Sequence, residues 1–271
     1  MRIEPLSPAT YEAALQYLRR SPYVNVFLSH ILLHDARSHA DTDVVVAVDA
    51  NGIHGVAYCG RHLAIAAEPS ALPALAAYVK RHRCERMIIG ARETVRAFWE
   101  IVRDWRGRPR LVRDRQLVMM LDRRHLRPYE RLSTVRHASA EEAGAVADGS
   151  AQMVRQELAY DPRRGSSDFS ASIRRMIDHK LWWVGVAAGQ ICFFCNIGPW
   201  CDYTVQLQGI WTPPALRRRG LATASLAAIC DRLLDASPTV SLYVNDFNES
   251  AIALYRRVGF EHVADFQTIL F

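Results

Sequence analysis

Two segments near the C-terminal end hold residue types at spacings that can do chemistry. In Gln206–Leu226, QLQGIWTPPALRRRGLATASL, a strand-like run meets Pro213-Pro214. An amphipathic helix then begins behind Arg217-x-x-Gly220-x-Ala222. A glycine-containing turn that enters a helix leaves several backbone N–H groups without partners, at the end where the helix dipole is positive. Such a turn suits a diphosphate. Gly220 and Ala222 are small enough for a phosphate to approach the main chain, and Arg217, Arg218 and Arg219 add charge for outlying oxygens. No Lys-Ser/Thr follows the glycine and there is no GxGxxG, so the loop is neither a P-loop nor a dinucleotide fingerprint, and no Mg²⁺ is required. A basic helix start with a glycine kink is the structural alternative.

The second segment is Ser241–Phe260, SLYVNDFNESAIALYRRVGF. A strand ends, Asn248 stands where a helix N-cap belongs, and Gly259 stands where a C′ glycine belongs. Asn248, Ala251 and Tyr255 are spaced i, i+3, i+7 and share one helical stripe. That stripe offers an amide, a small residue and a phenol. On the residues alone, Tyr255 is a proton donor or a core aromatic, and Asn248 a ligand group or a cap.

Together the two segments resemble the GCN5-related N-acetyltransferase (GNAT) superfamily. The resemblance lies in the R/Q-x-x-G-x-G/A loop, here Arg217-x-x-Gly220-x-Ala222, and in N-x-x-A-x-x-L-Y-x-x-x-G-F, here Asn248 through Phe260. It covers roughly residues 133–271 and looks closest to two-lobed members with an extra N-terminal domain. It implies acetyl-CoA as a substrate bound where strands 202–212 and 239–244 splay apart. The pantetheine arm is then expected on the backbone of Ile210, Trp211 and Thr212, like an added strand. The diphosphate is expected on the N–H groups of Arg217, Arg218, Arg219, Gly220, Leu221, Ala222 and Thr223. Asn248 would bond the pantetheine, Tyr255 would protonate the leaving thiolate, and a backbone N–H near Gly209–Ile210 would polarise the carbonyl.

The implied reaction is direct attack of a primary amine on the thioester. An amine with a pKa of about 10 is mostly protonated at neutral pH, so a base must take its proton. Many members of the family use a glutamate on the strand matching 202–212. This strand carries Gln206 and Gln208 instead. The candidates are Glu157 in QELAYDP and Asp202 at the strand start, with a water relay or a backbone carbonyl as the alternative. No cysteine falls in the acyl-binding segments, so no acyl-enzyme is expected, and no metal. The acceptor is left open among small amines, amino acids, peptide N-termini and protein lysines. The missing glutamate favours a rival reading, a catalytically silent acyl-CoA sensor or structural protein, and Tyr255 speaks against it.

These residues need a scaffold, and the hydrophobic periodicity supplies one. Helical spacing covers 8–20 and 22–36. DVVVAVDANGIHGVAYCG reads as a hairpin turning at Asn51-Gly52. HLAIAA, RMIIG and RLVRDRQLVMML read as strands, with helices over 70–82 and 91–105. Residues 122–132, DRRHLRPYERL, lack a period and read as a linker. The pattern then restarts: a strand at 133–137, helices at 139–159 and 166–178, and strands at 181–187, 190–197 and 202–212. A helix at 220–236, a strand at 239–244, a helix at 249–257 and a strand at 261–270 complete it. Both halves thus share one layout. With the resemblance, this layout implies an α/β fold of the α+β type, with two tandem acyl-CoA N-acyltransferase-like lobes, each a mixed, mostly antiparallel sheet flanked by helices. Residues 1–127 form the N-terminal lobe, a degenerate relative without the loop motif. Residues 128–271 form the catalytic lobe.

The remaining features are bounded by composition. The chain has 271 residues, half of them apolar and 23% charged, with a net charge of +6. That balance excludes a disordered tail and allows a full core. No run reaches the ~18 apolar residues of a membrane helix, and the opening MRIEPLSPATYEAALQYLRR has no signal-peptide pattern, so the expected location is the cytoplasm. Lys80 and Lys180 are the only lysines; arginine supplies the other positive charges and crowds between Arg103 and Arg136. An adaptor for nucleic acid through that stretch is a third reading, but the stretch fits no named motif, and a charged strand face plus linker is favoured. Cys192 and Cys195 form a CxxC within a strand, where alternation would point them to opposite faces and deny them a shared metal. With Cys59, Cys84, Cys201 and Cys230 they read as structural thiols. His30 and His34 have metal-ligand spacing, with Asp35 and His39 near, yet read as a satisfied or surface pair. Trp182, Trp183, Trp200 and Trp211 could line an aromatic acceptor pocket or fill the core. The expected state is a monomer or homodimer, with an amine acceptor and neither nucleic acid nor membrane as partner.

Overall fold

The computed structural model describes residues 1–35, 43–82, 86–158, 161–165 and 168–271. Cys84 and His39 lie outside the described residues. The first half runs β1 (Arg2–Pro5), α1 (Pro8–Leu18), α2 (Val26–His30, continued by a π-helical turn Ile31–Asp35), β2 (Val44–Asp49), β3 (Gly52–Cys59), β4 (Leu63–Ala67), α3 (Leu72–His82), β5 (Met87–Ala91), α4 (Arg92–Arg106) and β6 (Leu111–Asp122). The second half runs β7 (Thr134–His137), α5 (Ala143–Leu158), α6 (Pro162–Gly165), α7 (Phe169–Asp178), β8 (Trp182–Ala187), β9 (Gln190–Cys201), β10 (Thr204–Trp211), α8 (Leu221–Leu233), β11 (Thr239–Asn245), α9 (Glu249–Val258) and β12 (Glu261–Leu270).

All of these strands form one sheet in the order β1-β2-β3-β4-β5-β12-β6-β11-β10-β9-β8-β7. Replacing each strand by its counterpart in the other half reverses this order onto itself. The halves are therefore related by a pseudo-twofold axis between β6 and β12. Each half is an antiparallel meander that ends in one parallel pair, β4 with β5 and β10 with β11. The last strand of each half is exchanged. β12 inserts between β5 and β6, and β6 pairs antiparallel with β11 from Asp122↔Thr239 to Gln116↔Asn245. The exchange leaves β1 and β7 as the sheet edges. Both have only four residues, which limits the unpaired backbone offered to other chains.

Apolar layers cover both sheet faces. In β2, Val45 and Ala47 join the core under α3 and α4, while Val44, Val46 and Val48 join the core under α1 and α2. In the second half, α8 and α9 cover Leu207, Leu242 and Val244, and α5 and α7 cover Trp182, Val184 and Phe194. The expected linker is tied down rather than free. Arg123 is ion-paired with Asp231 and, at 2.6 Å, with Asp235; Tyr129 donates to Asp231 at 2.9 Å; the Arg127 N–H donates to the Val258 carbonyl. Gly259 has φ +119° and faces the His125 carbonyl so closely that a Cβ would lie 1.9 Å from the oxygen, so only glycine fits.

One local expectation fails. β9 bulges against β8, where the register jumps between Gly185↔Phe193 and Val186↔Ile191. Cys192 and Phe193 consequently turn to the same side, and Cys192 and Cys195 share the core under α8 instead of opposing each other. Both are fully buried, and desolvation pushes both thiols above their ordinary range. No described helix is long and apolar enough to cross a membrane.

Candidate functional site

The parallel strands β10 and β11 pair at Val205↔Val240 and Gln206↔Ser241, and then part. The parting follows from a bulge: the register of β10 on β9 shifts between Gln208 and Trp211, around Gly209 at φ +59°. A cleft of ≈250 Å³ opens between Leu207–Ile210 on one wall and Leu242–Asn245 on the other. Asn248, Ala251 and Tyr255 of α9 line it from one face of the sheet. Met153 and Glu157 of α5, with Arg113 and Gln116 of the exchanged β6, line it from the other.

Tyr255 is 6% exposed. Burial pushes its phenol above the ordinary value near 10, and the Glu157 carboxylate adds to the push. It is thus a protonated donor across the physiological range. Asn248 caps α9: its Oδ1 accepts from the Ala251 N–H at 3.2 Å and from Ser250 Oγ at 3.1 Å. The amide nitrogen is the part of Asn248 left to meet a ligand.

At the end of β10, Pro214–Leu216 form a single 3₁₀ turn, Arg218 has φ +60°, and Gly220 caps α8 with φ +76°. The first α8 bond is from the Ala224 N–H to the Gly220 carbonyl. Among the described residues, the amides of Arg218 through Thr223 have no backbone acceptor. The Arg217 amide, expected in the same cradle, is instead taken by the Pro214 carbonyl at 3.3 Å, because the 3₁₀ turn closes on it. The Arg217 side chain is also committed: Nε donates to the Thr212 carbonyl at 3.0 Å and the guanidinium lies 4.5 Å over the Trp211 ring. Arg218 and Arg219 are exposed.

Of the two candidate bases, Glu157 lines the cleft and Asp202 does not. Asp202 occupies the turn before β10, at the far end of that strand, ion-paired with Arg19 at 3.7 Å. Among the described residues that line the cleft there is no tryptophan. Trp183 belongs to the core under α8, Trp182 and Trp211 to the core under α5, and Trp200 packs 4.3 Å from His30 and 4.8 Å from His34. The histidine pair thus joins the two halves. Among the described residues no group of three metal-ligating side chains converges. Arg113, Gln116 and Asn245 were not anticipated as site residues. The arginine alternation in RLVRDRQ marks a charged strand face, and nothing local in it announces insertion beside β11.

The family model for the acetyltransferase (GNAT) family matches residues 152–260, and that for a domain of unknown function (DUF4081) matches residues 43–146. No curated protein is similar enough in sequence to match. Among solved structures, a Drosophila protein superposes with TM-score 0.69 at 12% identity, covering 99% of this chain and 98% of its own. A GCN5-related N-acetyltransferase from Sphaerobacter thermophilus gives 0.59 at 15%, covering 98% and 94%. A tandem GNAT protein from the clavulanic acid biosynthesis pathway gives 0.57 at 13%, covering 98% and 97%. At these identities the likeness is one of fold, and it spans both halves.

Proposed function

We propose that this protein, whose residues 152–260 match the acetyltransferase (GNAT) family model, moves an acetyl group from acetyl-CoA to a primary amine by direct attack. The observation that carries the reading is the parting of β10 from β11 beside a loop whose amides from Arg218 to Thr223 have no backbone acceptor among the described residues. Pantetheine enters the parted strands and takes the open backbone positions of Ile210, Trp211 and Thr212, with the Asn248 amide alongside. The diphosphate sits on the amides of Arg218, Arg219, Gly220, Leu221, Ala222 and Thr223. Arg218 and Arg219 reach its outer oxygens, while Arg217 braces the loop against Trp211.

The amine enters from the α5 face. Its nitrogen attacks the thioester carbonyl carbon, the C–N bond forms, and the C–S bond breaks. Glu157 takes the proton lost by the amine, and the Tyr255 hydroxyl gives its proton to the departing thiolate. The products are an amide and CoA thiol. Asp202 has no part, because it lies at the wrong end of its strand. Residues 1–127 and 128–271 act as one unit, since the first lends β6 to the wall of the site.

Isothermal titration with acetyl-CoA, followed by CoA-thiol release with a panel of amines, tests the reading. Micromolar binding with amine-dependent release is expected. Absence of binding at saturating ligand overturns it. The sensor reading is favoured by Gln206 and Gln208 on β10, which bond to each other at 3.0 Å; binding without release for any amine would select it.

A further inference from the structure

The α5 side of the cleft holds groups that acyl transfer alone leaves without a task. Arg113 arrives on β6, where Phe266↔Gln116 is followed by Thr268↔Arg113, so three steps on β6 face two on β12. That bulge brings Arg113 to the same face as Gln116 and Asn245. The Arg113 side chain is only 18% exposed, and its one ion-pair partner among the described residues is Glu157, at 3.5 Å. A guanidinium has five N–H donors, and a single carboxylate contact at 3.5 Å leaves room for a second anionic partner. Among the described residues Gln116 bonds Thr268, whose hydroxyl donates to its oxygen at 2.7 Å, and not Arg113. Beside these groups the Oδ1 of Asn245 is fully buried, with no hydrogen-bond partner among the described residues. Buried polar atoms are almost always paired, and an orphan on a cleft wall marks where a ligand donor belongs.

A half-buried guanidinium with one loose carboxylate contact, that carboxylate, and an acceptor short of a donor complement a zwitterion. We infer that the acyl acceptor is an α-amino acid. Arg113 holds its carboxylate, Glu157 faces its amino group, and Asn245 Oδ1 accepts one of its N–H bonds. The inference rests on the acyltransferase reading above and names the acceptor for it. The 3.5 Å between Arg113 and Glu157 sets the spacing. An amine and a carboxylate on one carbon match it. An ω-amino acid carries them too far apart, and a peptide N-terminus replaces the carboxylate with a neutral amide that offers Arg113 no second anionic partner.

The test compares glycine, L-alanine and L-phenylalanine with their amides and with β-alanine, at saturating acetyl-CoA, by CoA-thiol release. The amides have the less basic amines, so a preference for the acids cannot come from the fraction deprotonated. The acids should exceed the amides in kcat/KM by about 10–100-fold, the range of one charge-assisted pairing. That ratio should fall toward one in Arg113→Gln, through KM, and recover in part in Arg113→Lys. Acetyl-CoA affinity is measured on each variant by calorimetry. If acetyl-CoA binds but the amides serve as well as the acids, or the ratio survives Arg113→Gln, or none of these compounds is acetylated, the α-amino acid assignment is overturned and the acyltransferase reading stands. If acetyl-CoA does not bind, both fall.

Discussion

Tyr243 and Phe266 stack ring on ring, centroids 5.1 Å apart and planes 11° from parallel, with β6 of the first half running between their strands. The stack closes over the exchanged strand and holds β6 of the first half between two strands of the second. In an isolated 1–127 fragment, β5 and β6 would lose β12 from between them. In an isolated 128–271 fragment, β11 and β12 would lose β6. Each would bare backbone donors and acceptors at the centre of a sheet, together with buried residues such as Leu117 in the first and Val244 in the second. Neither fragment should show a cooperative thermal transition, and the two co-expressed should purify as a one-to-one complex. A separate fragment that melts cooperatively within a few degrees of the intact chain would refute the coupling.

The same exchange marks how far the sequence could be read. Features that depend on neighbours along the chain were legible. Asn248, Ala251 and Tyr255 share a face because a helix repeats every 3.6 residues, and the unpaired amides of the loop follow from any helix start. The hairpin at Asn51-Gly52 was legible for the same reason, whereas the parallel pairing of β4 with β5 was not, because it joins strands that a helix separates. β1 was not, since RIEP is four residues with two charges and a proline. The bulge at Cys192 broke an alternation argument that assumed an unbroken strand. Arg113 and Glu157 meet only because β6 crosses from one half to the other, a long-range pairing that no local period encodes.

Replacing Tyr255 with Phe should lower kcat by about 100-fold or more, within the range for loss of a positioned acid, and leave acetyl-CoA affinity within twofold. Burial holds the phenol above its ordinary value near 10. The wild-type rate should therefore show no decline from Tyr255 ionisation between pH 8 and 9.5. Stopped-flow or thiol-trapping assays over that range read both effects. A Tyr255→Phe enzyme of unchanged kcat would remove the residue from the reaction.

Glu157→Gln and Asp202→Asn separate the two candidate bases. Glu157→Gln removes the carboxylate that lines the cleft and should lower kcat by about 100-fold. Asp202→Asn breaks only an exposed ion pair with Arg19, worth about 0–1 kcal/mol, and should leave turnover within twofold. Steady-state kinetics with one good acceptor decide between them, and a reversed pattern would reassign the base.

His54 supplies a pH-dependent clamp far from the cleft. Its Nδ1 lies 2.8 Å from Glu68 Oε2 and its Nε2 2.9 Å from Asp49 Oδ1. Both contacts are hydrogen bonds only when both ring nitrogens carry protons. The bond to Glu68, then that to Asp49, raises the pKa above the ordinary 6.5 of histidine. The folded state thus binds this proton more tightly than the unfolded chain does. Its stabilising effect is complete below about pH 6.5 and is lost as pH rises through the folded value. Asp49, lowered by its bonds from Asn51 and His54, adds a loss only under acid conditions. The Tm difference between wild type and His54→Gln should therefore be largest near pH 6 and shrink steadily toward pH 9 in calorimetric scans. α1 should loosen in step, because Tyr17 donates to the His54 carbonyl at 3.1 Å and Arg20 pairs with Glu68 at 3.6 Å. A Tm difference independent of pH would show that His54 contributes packing alone and that its proton is not linked to folding.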